Sequence, residues 1–586
     1  MPNVPGVRAA LDHLGLSRPS RSADIDATGD YGVMLARLHG EETREVGPLN
    51  PLERLRMRRI RLFGTTGAVL VLIGSLGTGM MPVLQNPVTG MRVLSLPARM
   101  FSTALTISIA GTMMLVVAWV LIGRYAIGRY SVEVAENRSP ARRMSRAQAD
   151  RTLLMWILPL LFAPPLLSKD VYSYLAQSAI AFRGMDPYTY SPMRGLGVDH
   201  PLALSVPNLW KDTPAPYGPL FLWIGEQITR VTGENIPVAI GLHRLVALAG
   251  VAMIIWALPR LARRCGVSSV AALWLGAMNP LLILHLVGGI HNEALMIGMM
   301  LVGVEWCFRA IYGLNSLWDG LLPTKAGWLL VAGVAMIAAS SMIKVASLLA
   351  LGFVGIALSR RWGATLPALR NAPLRQWWAR SRATVFALTR SALLTGTVMV
   401  AVVVAICLGT GLGFGWTSTL STGGIVRSWM SMPTLLGVVA GRIGLWLGLG
   451  EQTDAILEIA RPIGQLIAGL FVVRWLLACL SGRIHPLGGL GIAMATFVLF
   501  FPFVQAWYLL WAIIPLAAWA TTRWFRVGTV IVSGIIAVVV MPTSSDTPPM
   551  VVAQGLATGL VVTLITSVFF FLDHPTRRWL RSRRRA

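Results

Sequence analysis

The chain has 586 residues, of which 55% are hydrophobic and only 13% charged, and its mean hydropathy is +0.65. A soluble domain carries about twice that charge, so a soluble globular enzyme is excluded. The formal charge of +26 would suit a nucleic-acid binder, but most arginines fall between apolar runs and at the two ends, and no nucleic-acid-binding motif is present; their placement fits positive-inside topology and contact with anionic membrane lipids.

Residues 1–59 are polar, charged and proline-containing. They are expected to form a largely disordered cytoplasmic tail with a short helix near Tyr31–Leu38. The first apolar run begins near Ile60, too deep for a cleavable signal peptide. Apolar runs then follow at 60–84, 101–123, 152–168, 238–260, 268–288, 292–312, 326–342, 344–359, 388–411, 462–481, 486–503, 506–523, 526–543 and 550–572. At roughly 20 residues per crossing this predicts an all-α polytopic integral membrane protein with about 14 transmembrane helices. An open sheet is excluded, because its edge would stay unsatisfied in hydrocarbon.

Stretches 216–232 and 432–449 are apolar but ambiguous. The basic segments are the tail to Arg61, Arg124–Arg151, Arg260–Arg264, Arg360–Arg382, Arg523–Arg526 and Arg577–Arg585. Keeping all of them on one side requires 216–232 to lie on the outer face as a proline-led interfacial helix. The same logic keeps 432–449 outside, although Arg442 weakens it. Both termini are then cytoplasmic in a plasma-membrane protein, 576–586 is a second basic tail, and the 169–237 loop is external. The four cysteines are scattered with no CxxC, so neither zinc nor a disulfide framework is suggested. No strong internal repeat, Walker A, GxGxxG or DxD pattern stands out, and no cofactor or metal is expected.

The polar residues that interrupt this pattern gather on the expected outer face. Asp170 follows the run that ends at Leu167. A helix over Asp170–Phe182 puts Val171, Leu175, Ala179 and Phe182 on one side, and Asp170, Tyr174, Gln177 and Ser178 on another. A carboxylate there can take a proton from a hydroxyl. Ser168 or Asp170 could equally cap the helix, and spacing leaves both readings open. His285, His291, Asn292 and Glu293 interrupt two apolar runs: His291 could donate to a phosphate or sugar, and Glu293 could hold a sugar hydroxyl, or all could be solvated loop residues. A metal site from His285, His291 and Glu293 matches no standard spacing. Lys344 is one of four lysines and lies between two short apolar runs. It can bind a lipid phosphate or snorkel to the headgroups. Arg427 lies among aromatics and hydroxyls, Tyr217 opens the interfacial helix, and Trp507 and Tyr508 sit at a helix start, where aromatics often serve as anchors.

Lys169-Asp170-Val-Tyr-Ser-Tyr, Arg183-Gly184-Met-Asp186-Pro187-Tyr188, Pro216-Tyr-Gly-Pro219, Gly289-Ile-His291-Asn292-Glu293, Lys344 with its flanks and Trp507-Tyr508-Leu-Leu-Trp511 together resemble the actinobacterial polyprenyl-phosphomannose-dependent α-1,6-mannosyltransferases of the GT-C class, MptB type. The resemblance covers residues 60–575. It implies a polyprenyl-phosphate-mannose donor, a mannosylated glycolipid acceptor and inverting, metal-independent transfer to a 6-hydroxyl, building the mannan of lipomannan or lipoarabinomannan. It implies Asp170 as base, Lys344, Arg427 and His291 at the donor phosphate, and Tyr174, Gln177, Asp186, Tyr217, Asn292, Glu293, Trp507 and Tyr508 around the sugars. The acidic pair common in the class is absent, since Lys169 stands beside Asp170. The competing readings are a transporter or flippase of a lipid-linked sugar, and a GT-C enzyme using another lipid-linked sugar such as arabinofuranose.

Overall fold

The computed structural model describes residues 38–571, apart from 41, 43–45, 129–141, 314–323, 367–373 and 541–546. Among the described residues the only strands are Gly47–Pro48 and Arg142–Arg143, paired in parallel. Every predicted apolar run falls on a helix or a pair of short helices. Seven helices are long and apolar enough to cross a membrane: Pro51–Thr78, Phe101–Ile127, Ile236–Arg264, Glu293–Tyr312, Trp378–Gly409, Thr453–Leu480 and Pro549–Phe571. Shorter apolar helices, including Lys325–Ser341 and Pro486–Phe500, complete the bundle. The chain is an all-α polytopic membrane protein.

The first helix starts at Pro51, well before the apolar run. Asn50 Oδ1 accepts from Glu53 N at 2.7 Å, and Glu53 Oε2 accepts from Asn50 N at 2.9 Å. This reciprocal capping starts the helix in the basic segment; hydropathy marks only the part that lipid can cover. Residues 38–40 and 42, expected to be disordered, form a strap on the arginine-rich end. Leu38 O accepts from Thr521 N at 2.9 Å, His39 stacks on Trp519 at 5.4 Å, and Glu42 pairs with buried Arg526 at 2.7 Å. The short helix expected near Tyr31–Leu38 lies outside the described residues except for Leu38, and residues 576–586 lie outside them entirely.

Glycines set the spacing of the helices that carry the site. A Cβ on Gly250 would land on the Ala294 backbone carbonyl, and one on Gly303 would lie 2.6 Å from Gly333 O. So Glu293–Tyr312 is held closely against Ile236–Arg264 on one side and Lys325–Ser341 on the other. Lipid offers no hydrophobic drive for helix pairing, and small residues allow the close approach that dispersion needs. At its far end this helix is pinned by Arg264 Nε on Glu305 Oε2 at 2.7 Å.

Pro219–Thr232 has 14 residues, giving a length of ~21 Å, short of the ~30 Å hydrocarbon layer. It packs on Asp170–Phe182, with Gly225 flush against Ser178. Met432–Trp446 has 15 residues and packs on Thr453–Leu480 through Gly437, where a Cβ would meet Leu457 at 2.5 Å. The expected two-sided helix Asp170–Phe182 is a helix, but residues 171–180 are all buried. Tyr217 and Phe221 cover the face that spacing left open to a cavity, each edge-on to Tyr174 at 4.9 Å.

Gly250→Ala puts a methyl into the Ala294 backbone and should lower detergent stability by about 1–3 kcal/mol. Gly241 lies on the same helix with nothing within 4 Å of its would-be Cβ. Gly241→Ala should be neutral or stabilising by up to about 1 kcal/mol. Thermal unfolding of the two variants checks the contrast; equal midpoints would refute the packing account.

Candidate active site

Two left-handed turns deliver the central residues. Leu167 has φ 64° and Ile290 has φ 60°; Gln85 is the only other non-glycine residue with positive φ among the described residues. Such backbone costs about 1–3 kcal/mol and persists only where surroundings enforce it. Here the two turns enforce each other. Leu166 N donates to Gly288 O at 3.0 Å, and a Cβ on Gly289 would lie 3.0 Å from both Leu166 O and His291 Cδ2. The π-helix Leu282–Gly288 leads into the second turn; such wide turns recur at functional sites.

The capping question at Asp170 is resolved. Ser168 Oγ accepts from Asp170 N at 3.1 Å, and Lys169, at the cap position, makes no side-chain cap bond. The carboxylate faces a narrow cleft of about 110 Å³ and keeps 22% of its side-chain surface. Its Oδ2 lies 3.5 Å from His291 Nδ1. Asp170 lies outside the membrane-spanning helices. Burial pushes its carboxyl up to about 6; Glu293 adds to the rise, while the Ser168 hydrogen bond and the Lys344 charge oppose it.

Lys344 shares the cleft with Asp170. It does not snorkel. Its backbone is extended between two helices, and Nζ donates to Glu293 Oε1 and to Tyr508 Oη, the latter at 3.0 Å. Nζ also lies 4.4 Å from the Tyr508 ring centre, and Tyr508 stacks on Trp511 at 4.2 Å. Glu293 is fully buried, and its Oε1 also accepts from Trp507 Nε1 at 3.0 Å. An ammonium has three protons; two are used in the pair and the tyrosine bond, and one remains for the cleft.

The predicted site residues fall into three groups. Asp170, Tyr217, Lys344, Trp507 and Tyr508 line the cleft. Tyr174, Gln177, His291, Asn292 and Glu293 are buried behind it. His291 stacks on Trp507 at 3.6 Å, so its ring faces Asp170 rather than a phosphate in the cleft. Glu293 spends one oxygen on Lys344 and Trp507 and stands behind the cleft wall. Two residues are elsewhere. Asp186 is exposed and closes its own turn, accepting from Tyr188 N at 2.9 Å and Thr189 Oγ1 at 2.7 Å. Arg427 is spent on Asp454 at 2.7 Å, on the surface. Among the described residues no group of three His, Cys, Asp or Glu is arranged to hold a metal. The reading of the sequence missed Trp210 and Trp416, which also line the cleft; they belong to separate loops, and no spacing links them.

Fold and cleft define an all-α membrane protein that brings a carboxylate and an ammonium into one cleft. Comparison with known proteins gives that class a family. Residues 61–360 match the family described as alpha-(1->6)-mannopyranosyltransferase, N-terminal domain, and residues 433–568 match the MptB C-terminal domain. The chain is 48% identical to a probable alpha-(1->6)-mannopyranosyltransferase of Mycolicibacterium smegmatis, over 92% of this chain and 93% of that one. It is 46% identical to an alpha-(1->6)-mannopyranosyltransferase of Mycobacterium tuberculosis, over 92% and 91%. It is 36% identical to alpha-(1->6)-mannopyranosyltransferase B of Corynebacterium glutamicum, over 93% and 87%. No solved structure matches. The chain belongs to the alpha-(1->6)-mannopyranosyltransferase family, MptB type.

Removing one partner of the buried Lys344–Glu293 pair leaves an uncompensated charge, which should cost about 3–5 kcal/mol. Glu293→Gln should therefore unfold at lower temperature than Glu293→Gln combined with Lys344→Met. The double variant should regain stability but not activity. Equal destabilisation of single and double variants would show that the pair is not coupled.

Proposed function

We propose that the protein is a GT-C glycosyltransferase that moves mannose from polyprenyl-phosphate-mannose to the 6-hydroxyl of a mannosylated glycolipid, on the outer face of the plasma membrane. The product is the α-1,6-mannan of lipomannan or lipoarabinomannan. The observation that carries this reading is the presence of Asp170 and Lys344 in one cleft that adjoins a mostly apolar groove. The groove, about 350 Å³, is lined by Leu349, Gln465, Ala468, Gly469, Val472 and Phe500, and it shares Phe497 and Phe501 with the cleft. A sugar joined through a phosphate to a long apolar chain suits that sequence of surfaces.

The chemistry follows from the side chains. The acceptor 6-oxygen attacks the anomeric carbon as the bond from that carbon to the phosphate oxygen breaks. Asp170 takes the hydroxyl proton as general base. Attack from the face opposite the phosphate inverts the β-linked donor to an α-linked product. The free proton of Lys344 and the Tyr508 hydroxyl stabilise charge growing on the departing lipid phosphate. With a monophosphate leaving group, cationic and hydrogen-bond donors meet the electrostatic need without a metal.

Assay of the purified protein in detergent, with polyprenyl-phosphomannose and a mannosyl acceptor, tests the reading. Transfer there needs no membrane to cross, so a transporter would give none, and linkage analysis of the product distinguishes an α-1,6-mannoside from any other sugar. Asp170→Asn should lower kcat by about 10²–10⁴, with donor affinity kept; substantial residual transfer would move the base role elsewhere. A base must be deprotonated to act. With the Asp170 carboxyl at about 6, the rate should be flat above about pH 7 and fall about tenfold per unit well below pH 6. A flat profile down to pH 4.5 would exclude Asp170 as base. Tyr508→Phe should cost about tenfold in kcat/KM by removing one donor to the phosphate.

A further inference from the structure

We propose that Trp210 and Trp416, which line the cleft, form a binding platform for the acceptor sugar. This rests on the reading that the cleft joins a lipid-linked mannose to a mannosyl acceptor.

The cleft walls have two chemistries. Phe497 and Phe501 continue into the apolar groove, whereas Trp210 and Trp416 line the cleft and not the groove. They come from loops about two hundred positions apart, in the 183–218 and 410–431 regions. Both are half-buried. Tryptophans that only anchor a protein at a membrane interface turn outward, as the exposed Trp429 and Trp446 do; Trp210 and Trp416 are half-buried and line the cleft that Asp170 also lines.

The indole of Trp416 carries the chemical argument. Its Nε1 is buried and meets no acceptor among the described residues. A buried donor left unpaired is costly, so an occupant that brings an oxygen within its reach is favoured. A hydrocarbon tail has none. The phosphate has oxygens, but Lys344 and Tyr508 already offer it donors. A pyranose has both an apolar face of C–H bonds to lie on an indole and a rim of hydroxyls to accept the N–H. That combination is the one an indole with a free N–H matches.

The platform is fixed before any sugar arrives. Gly411 and Gly413 take φ of 72° and 61°, turning the loop back on itself. Gly415 then sits flush on the Tyr188 ring, where a Cβ would come within 2.9 Å. The Tyr188 hydroxyl donates to Tyr217 O at 3.1 Å, linking this loop to a cleft residue. Thr419 Oγ1 donates to Trp416 O at 3.1 Å, and Thr213 Oγ1 donates to Trp210 O at 3.2 Å. Among the described residues no hydrogen bond or ring contact joins either tryptophan to the Lys344–Glu293 pair, so the substitutions leave that pair's own bonds in place.

The test separates acceptor from donor. With polyprenyl-phosphomannose as donor and methyl α-1,6-mannobioside as acceptor, Trp416→Ala should raise acceptor KM about tenfold, and Trp416→Phe, which keeps a ring but loses the N–H, about threefold. Trp210→Ala should raise it by a similar factor, with donor KM held within about twofold in all three. Direct binding of the same mannobioside, by saturation-transfer NMR, should be clear in the wild type and lost in Trp416→Ala. A rise in donor KM with acceptor KM unchanged would give this wall to the lipid-linked sugar and overturn the proposal. So would mannobioside binding that survives in both Trp416→Ala and Trp210→Ala. Trp416→Phe guards against a loop that fails to fold. Binding is read without turnover, so a wild type that binds the mannobioside yet transfers nothing from the lipid donor refutes the donor reading and leaves the platform standing.

Discussion

The buried pair of Lys344 and Glu293 is the interaction on which the rest of the site depends. The two residues are 51 positions apart and approach from the ends of neighbouring helices. Neither charge is tolerable alone at that depth, because the desolvation cost of each is met only by the other and by added hydrogen bonds. Trp507 and Tyr508 supply those bonds from a third segment. The pair therefore ties three parts of the chain to one point. It can form only because Gly250, Gly303 and Gly333 let the helices come close enough. A larger residue there would hold the charges apart, with each of them then exposed to the full cost of burial.

The membrane made the bundle legible in the sequence. Hydrocarbon demands long apolar runs, and each predicted run overlaps a helix or a pair of short helices among the described residues. It did not make the helix ends legible, because capping chemistry at Asn50 and Glu53 carries the first helix into basic sequence that hydropathy reads as tail. Asp170 could be singled out because an acid at the end of an apolar run is rare. What that acid does was undecidable from spacing. It turned on whether Ser168 or Asp170 fills the cap, which is a matter of a few ångströms.

Pairing is the part that a single sequence hides. Arg427 looked like a phosphate ligand because it is a cation among aromatics, but Asp454, 27 positions later, takes it. Asp186 was expected around the sugars, but its own turn uses both oxygens. Glu293 looked like a sugar ligand, and its partner proved to be the lysine expected at the phosphate. In each case the residue type was read correctly and the partner was not, because contacts between distant segments leave no local period to detect. The strained turns at Leu167 and Ile290 were hidden for the same reason: neither is glycine, and each holds its conformation only because the other packs against it.

The pair also bears on how one cleft can hold a base and a phosphate-binding cation together. An unpaired lysine beside Asp170 would pull its carboxyl down and weaken it as a base. Seen from Asp170, Glu293 and Lys344 act in opposite directions, with Glu293 the stronger, and burial sets the net rise. The lysine keeps a proton to offer an anion, while its charge is largely cancelled at the carboxylate. Under the proposed reaction, this lets Asp170 stay basic enough to take a hydroxyl proton near neutral pH within the same small cleft. Replacing Glu293 by a neutral residue would thus disturb two functions at once: the lysine would lose its anchor, and Asp170 would face an uncompensated cation that makes it a poorer base.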